Sequence, residues 1–230
     1  MATKYPVLWF MGLSAAGKST LSTTLEERLA GLGWPVMRLD ADELRQGLNQ
    51  GLGYSESDRE ENIRRAAHVA RLLAGHTTVL AAFITPYIKM REIFREILPD
   101  AILIYVKCPV EECVRRDPKG LYQRALSGTI PTFTGVSDTF EEPTNANLVI
   151  DTSHATVEQA VDAIVEYCQS RGLWDRPLSP ELHLRLTPDV WERLQEAAQM
   201  AGIDSVSDYL VRIAEEMVAD APGALGQGGR

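Results

Sequence analysis

The chain has 230 residues, 45% of them hydrophobic and 24% charged, an ordinary globular composition with room for one full α/β domain and a smaller unit. A net charge of −9 speaks against broad binding to nucleic acid or anionic lipid, and no apolar run is long enough to span a bilayer. Cys108, Cys113 and Cys168 form neither a C-x-x-C pair nor an even framework, so buried or surface free thiols in a reducing compartment are expected and a disulfide is not.

Val7 to Met11 is a short apolar run suited to a buried parallel strand. It leads into Gly12-Leu13-Ser14-Ala15-Ala16-Gly17-Lys18-Ser19-Thr20, and then into a helix with apolar residues at Leu21, Leu25 and Leu29. The segment fits G-x-x-x-x-G-K-[ST] in the strand-to-helix setting that this pattern requires. Its glycines let backbone N–H groups turn towards phosphate oxygens at a helix N-terminus, where the dipole favours negative charge. Candidate ATP-binding residues are therefore Gly12, Ser14, Ala15, Ala16, Gly17, Lys18, Ser19 and Thr20, with Lys18 reaching the β/γ-phosphates and the Ser19 hydroxyl on Mg²⁺. Cleaving a signal here would destroy the loop, so a cytoplasmic location is expected.

Val36 to Leu39 reads as a second strand ending at Asp40-Ala41-Asp42-Glu43. Ligands of open parallel sheets lie at the carboxyl ends of strands, where an acid can orient a metal-bound water or accept a proton from an attacking hydroxyl. One of Asp40 and Asp42 is also expected to cap the following helix. Ser57-Asp58-Arg59-Glu60 reads as a capping box opening a long helix to about Ala74, with Ile63, Ala66, Ala67, Ala70 and Leu73 as its core face. Arg59, Asn62 and Arg65 share a face at three-residue spacing, either as an anion clamp or as a solvated surface.

Thr78 to Phe83 is a third strand, closed by Ile84-Thr85-Pro86-Tyr87; a helix follows from Arg91 to Ile97 and a fourth strand from Ala101 to Val106. Val110 to Arg116 is a short helix entering Arg116-Asp117-Pro118-Lys119-Gly120-Leu121-Tyr122, which suits either a lid over nucleotide phosphates, with Arg116 as a ligand, or a plain surface loop. A long loop surrounds Phe133-Thr134-Gly135, and a last strand, Leu148 to Asp151, precedes a helix boxed by Thr156 and Gln159. The four histidines show no metal-ligand spacing. Alternation of strand and helix over residues 1–173 implies a parallel sheet covered by helices on both faces.

Residues 174–180 read as a linker. Leu182, Leu184 and Leu186 then alternate with polar residues as a half-buried strand. Thr187-Pro188 opens a helix with Val190, Trp191, Leu194, Ala197 and Ala198 inward, Gly202 stops it, and Ser205 opens another. This unit, residues 181–218, resembles the ribbon-helix-helix fold, which pairs two chains through the strand. From Leu178 to Arg230 there are 4 basic and 9 acidic residues, so a homodimer contact is expected and DNA reading is not. Residues 219–230 are Gly-rich and expected to be disordered.

Six blocks together, Gly12 to Thr20, Leu39 to Asp42, Asp58 to Arg65, Phe83 to Tyr87, Arg116 to Tyr122 and Phe133 to Gly135, closely resemble adenylylsulfate (APS) kinase over roughly residues 5–170. The resemblance implies a phosphate-loop kinase that moves the γ-phosphoryl of ATP to the 3′-hydroxyl of APS and forms PAPS, the activated sulfate donor, with Mg²⁺. It implies that Asp40, Asp42, Tyr54, Arg59, Asn62, Ile84, Thr85, Lys119 and Phe133 line the APS site, and it moves Arg65 with its neighbours towards function. Asp42 or Asp40 would orient the 3′-hydroxyl, and Phe133 and Tyr54 would stack on adenine. Thr85 stands where the family often has Ser, so a covalent phospho-residue role is carried over to it. Ala15 replaces a loop Gly, Glu43 an Asn, and Pro131-Thr132 a Lys-Gly pair. Two rival expectations are a same-fold kinase with another nucleotide or small hydroxyl acceptor, and a nucleotide-dependent DNA-binding regulator.

Overall fold

Strand β1 (Val7–Met11) is buried along its whole length, and its side chains part by strand alternation. Leu8 and Phe10 enter one hydrophobic cluster; Val7, Trp9 and Met11 enter another on the opposite face. That two-sided burial makes β1 the centre of a five-stranded parallel sheet in the order β2-β3-β1-β4-β5, where β2 is Val36–Asp40, β3 Thr78–Ala82, β4 Ile102–Lys107 and β5 Leu148–Asp151. The computed structural model describes residues 5–174 and 187–219, the side chains of the last helix as far as residue 213.

Helices α1 (Lys18–Gly31) and α7 (Val157–Ser170) cover one face, with Leu21, Leu25, Leu29, Val161 and Ile164 in the core. Helices α3 (Glu56–Leu73) and α4 (Ile88–Ile97) cover the other, where Trp9 stacks on Phe83 at 4.8 Å and meets Phe94 at 4.6 Å. Short helices α2 (Ala41–Gln46), α5 (Val110–Arg116) and α6 (Leu121–Leu126) sit near the carboxyl ends of the strands. The parallel, doubly covered sheet expected from the alternation is present, and all three cysteines are buried and free. No helix among the described residues is long and apolar enough to cross a membrane.

Several boundaries differ from the sequence expectation. Ser55, not Ser57, caps α3: its hydroxyl accepts from Asp58 N, leaving Ser57 as the second residue of the helix. The Thr156/Gln159 box on α7 has both of its reciprocal bonds. Helix α4 starts at Ile88, three residues early, and α6 occupies ground read as lid or loop. Trp174, read as linker, is 3% exposed and belongs to the α1/α7 core.

The chain divides into two compact units, Met1–Glu181 and Leu182–Arg230. In the second, α8 (Pro188–Met200) and α9 (Val206–Ala219) pack against each other, and Ala198 and Val206 are buried. Val190 and Trp191, expected inward, are 38% and 45% exposed, since two helices cover only the side they share. The expected strand over Leu182 to Leu186, most of the linker and the tail beyond 219 lie outside the described residues.

Candidate active site

The loop between β1 and α1 folds as its glycines dictate. A Cβ on Gly12, at φ +149°, would stand 2.3 Å from the Val106 carbonyl oxygen, so only glycine fits. Gly17, at φ +102°, is the N-cap of α1. Ala15 also takes positive φ, at 58°, where the Cβ is a steric burden. Lys18 curls back over the loop, Nζ donating to Gly12 O at 3.0 Å and Leu13 O at 2.7 Å. Burial pulls its pKa from 10.5 down to about 8, against the opposing pull of nearby carboxylates Asp40 and Asp42.

Ser19 Oγ donates to Asp40 Oδ2 at 2.9 Å, tying the first turn of α1 to the end of β2. Asp40 is already fully engaged: Oδ1 accepts from Asp42 N at 2.9 Å as the cap of α2, and Arg38 Nη1 lies 3.3 Å from Oδ2. Asp42 projects from the first turn of α2 and pairs with Lys119 across 77 residues, which raises the Lys119 pKa.

The opposite wall is pinned by Arg59. Its Nε donates to Tyr54 O at 2.9 Å and its Nη1 to Thr134 Oγ1 at 2.6 Å, with Asp138 at 3.4 Å. Tyr87 Oη donates to the same Asp138 carboxylate; burial and that carboxylate push the phenol up to about 12. Arg59 thus holds the loop carrying Phe133, whose ring meets Tyr122 edge-on at 5.0 Å. Tyr54, 64% exposed, carries the Arg45 guanidinium 4.5 Å from its ring centre.

These walls enclose a cavity of about 520 Å³, a size that suits small-molecule ligands. Of the residues singled out in the sequence, Ser14, Ala15, Gly17, Lys18, Ser19, Thr20, Asp40, Asp42, Tyr54, Arg59, Asn62, Ile84, Thr85, Lys119 and Phe133 line it. Gly12 and Ala16 shape the loop from behind. Arg65 is not brought to the cavity: it turns to Glu61 and Leu48 O, and with Arg64 it lowers the Glu61 pKa to about 2. Arg116 does not line the cavity either. It binds Glu112 and the Thr152 carbonyl, while Thr152 Oγ1 donates to Ala16 O at 2.8 Å, so it braces the loop from outside. Thr85 takes φ +49° and its hydroxyl accepts from Trp9 Nε1 at 2.9 Å, with the residue 1% exposed, so the geometry does not present it as a phosphate acceptor. Glu43 bonds Arg38 on the outside and does not line the cavity.

Sequence reasoning missed Arg45, Arg124 and Thr134, which also line the cavity. Arg45 lies one turn beyond Asp42 on α2, a spacing that could have found it; Arg124 requires knowing that α6 is a helix. Five basic side chains (Lys18, Arg45, Arg59, Lys119, Arg124) against three acidic ones give this cavity a positive balance in an acidic chain, which suits a polyanionic ligand. Among the described residues no group of three or more His, Cys, Asp or Glu could hold a metal.

The family profile for adenylylsulphate kinase matches residues 4–151. An adenylyl-sulfate kinase of Staphylococcus epidermidis is 52% identical over 168 residues, 71% of this chain and 84% of the relative. A probable adenylyl-sulfate kinase of Pseudomonas aeruginosa is 39% identical over 206 residues, 89% of this chain and 94% of the relative. Among solved structures, the APS kinase of Mycobacterium tuberculosis in complex with AMPPNP and APS superposes with a TM-score of 0.70 at 35% identity, covering 73% of this chain and 99% of that one. The cavity geometry and these likenesses converge, and the chain belongs to the adenylylsulphate kinase family.

Proposed function

We propose that this protein transfers the γ-phosphoryl group of ATP to the 3′-hydroxyl of APS, giving PAPS and ADP. The observation that carries the reading is one continuous cavity joining the phosphate loop, with Lys18 and Ser19, to a second wall of Asp42, Arg59, Asn62 and Phe133. Phosphoryl transfer needs held phosphates, an oriented hydroxyl and cations around the spreading charge, and little covalent help. Ser14 to Thr20 take the ATP phosphates. The Ser19 hydroxyl and Asp40 carboxylate, hard oxygens 2.9 Å apart, fit Mg²⁺ held jointly with nucleotide phosphates, where it would neutralise charge on the transferring group. Asp40 is engaged by Ser19, Asp42 N and Arg38, so Asp42, whose carboxylate pairs with Lys119 at the cavity mouth, is assigned to orient the acceptor. The 3′-oxygen bonds to the γ-phosphorus, the bond to the β–γ bridging oxygen breaks with its electron pair leaving on ADP, and the hydroxyl proton passes to Asp42. Phe133 and Tyr54 pack against the adenine of APS, and Lys119 faces its anionic end.

Assaying ATP consumption with APS beside other nucleotides and small hydroxyl compounds tests the acceptor. APS is expected to be used far faster than any of them; equal use of another acceptor would replace the reading with that of a same-fold kinase of different specificity.

Residues 181–218 are proposed to pair two chains. The support is the apolar surface that α8 and α9 leave uncovered, at Val190, Trp191 and Val211, in a unit with more acids than bases. That charge balance disfavours a DNA-reading role.

A further inference from the structure

Asn49 lies in the loop after α2 between the exposed residues Leu48 and Gln50, yet is itself 1% exposed. A buried amide in an exposed loop must find hydrogen-bond partners. Its backbone N–H donates to Leu44 O at 2.8 Å and its carbonyl accepts from Leu52 N at 3.2 Å, which fixes the residue in place. From there its Nδ2 donates to Asn62 Oδ1 at 2.9 Å, while its own Oδ1 is buried without a partner. Asn62 lines the cavity next to Arg59, and its Nδ2 bonds nothing among the described residues.

We propose that Asn49 is a positioning residue that sets the polarity of the Asn62 amide, so that Asn62 meets the acceptor nucleotide with its N–H and not with its carbonyl oxygen. Which end of each amide is oxygen follows from the hydrogen-bond network. As placed, Asn49 buries its oxygen and one N–H unpaired; the reverse arrangement would bury both N–H groups unpaired, and an orphaned buried donor is less tolerated than an under-satisfied carbonyl oxygen. The inference rests on reading the cavity as an APS site. APS carries phosphate and sulfate oxygens and ring nitrogens, all of which need donors from the protein.

The test combines kinetics with a readout that needs no substrate. Asn49→Asp offers only acceptors when ionised and so turns the Asn62 amide over, whereas Asn49→Ala releases it. Both should raise KM for APS by roughly tenfold, about one hydrogen bond, with KM for ATP unchanged. In an Asn62→Ala background neither should raise it further, because Asn49 acts only through Asn62. Asn49→Leu, similar in size and free of the unpaired oxygen, keeps the cycle measurable if the alanine variant fails to fold. In the ligand-free full chain, NMR of the side-chain amides should show slow hydrogen exchange for Asn49 NH₂ and fast exchange for Asn62 NH₂. An unchanged APS KM in Asn49→Asp, equal losses in both backgrounds, or the opposite exchange pattern overturns the proposal. A wild-type chain indifferent to APS but with the expected exchange pattern would overturn the substrate reading while leaving the amide polarity standing.

Discussion

Ser19 at the start of α1 and Asp40 at the end of β2 are joined by a hydrogen bond of 2.9 Å, from the serine hydroxyl to a carboxylate that simultaneously caps α2. The bond fixes the phosphate loop against the wall that carries Asp42. Asp40→Asn retains a good helix cap, so thermal stability should hardly change, but the charge beside Ser19 is lost. The Mg²⁺ concentration for half-maximal activity should rise on the order of 10–100-fold. A magnesium titration checks this; an unaltered requirement would remove Asp40 from the metal's surroundings.

Asp42 and Lys119 reach across the cavity mouth from α2 and from the loop before α6. If Asp42 takes the hydroxyl proton, Asp42→Asn should lower kcat by about 10²–10⁴-fold with little change in the KM for ATP. Lys119→Ala should act mainly on the KM for APS. Steady-state kinetics with both substrates varied separates these, and a kcat for Asp42→Asn near that of wild type would assign the proton elsewhere.

The layer structure was legible because a parallel strand buried on both faces must be largely apolar, as Val7–Met11 and the run Val79 to Ala82 are. The loop was legible because few residue types tolerate its backbone. The spacing of Arg59 allows an anion clamp or a solvated surface, and its larger task, holding Thr134 and Asp138 from 75 and 79 residues away, depends on a tertiary contact that no local pattern encodes. Arg65 misled for the converse reason: three-residue spacing places it near Arg59, but Glu61 on the preceding turn captures its guanidinium. Glu43 would place a negative charge on the ligand only if it faced the cavity, and Arg38 holds it outside.

Lys18 links nucleotide binding to protons. Its folded pKa of about 8 lies below the ordinary 10.5, so between those values the unfolded chain binds a proton that the folded chain lacks. Its contribution to stability therefore rises with pH across that window, and below it the burial cost is fully present. ATP phosphates supply the missing counter-charge, so binding at about pH 8.5 should take up a proton and affinity should fall as pH rises further. Calorimetry in two buffers of different ionisation enthalpy measures the uptake; identical heats in both would contradict it.

Ala15 holds φ 58° in the loop. Relieving that conformation gains about 1–2 kcal/mol, and the extra freedom of glycine in the unfolded chain takes back part of it. Ala15→Gly should therefore stabilise the protein by about 0.5–1 kcal/mol with activity retained. Urea denaturation reads the change, and a loss of stability would show that the alanine is unstrained.

The second unit is proposed to act in assembly. A chain ending at Pro180, which keeps the buried Trp174, should sediment as a monomer with the APS and ATP KM values of the full chain, while the full chain sediments as a dimer. A monomeric full chain would deny the pairing.

The most direct measurement is phosphorus NMR of ATP and APS incubated with the full chain and with Lys18→Ala. One product should form only with the wild-type chain, in step with ADP, and carry its new phosphate on the 3′-oxygen of APS. ATP hydrolysis indifferent to APS, or a phosphate on any other oxygen, would contradict the assignment.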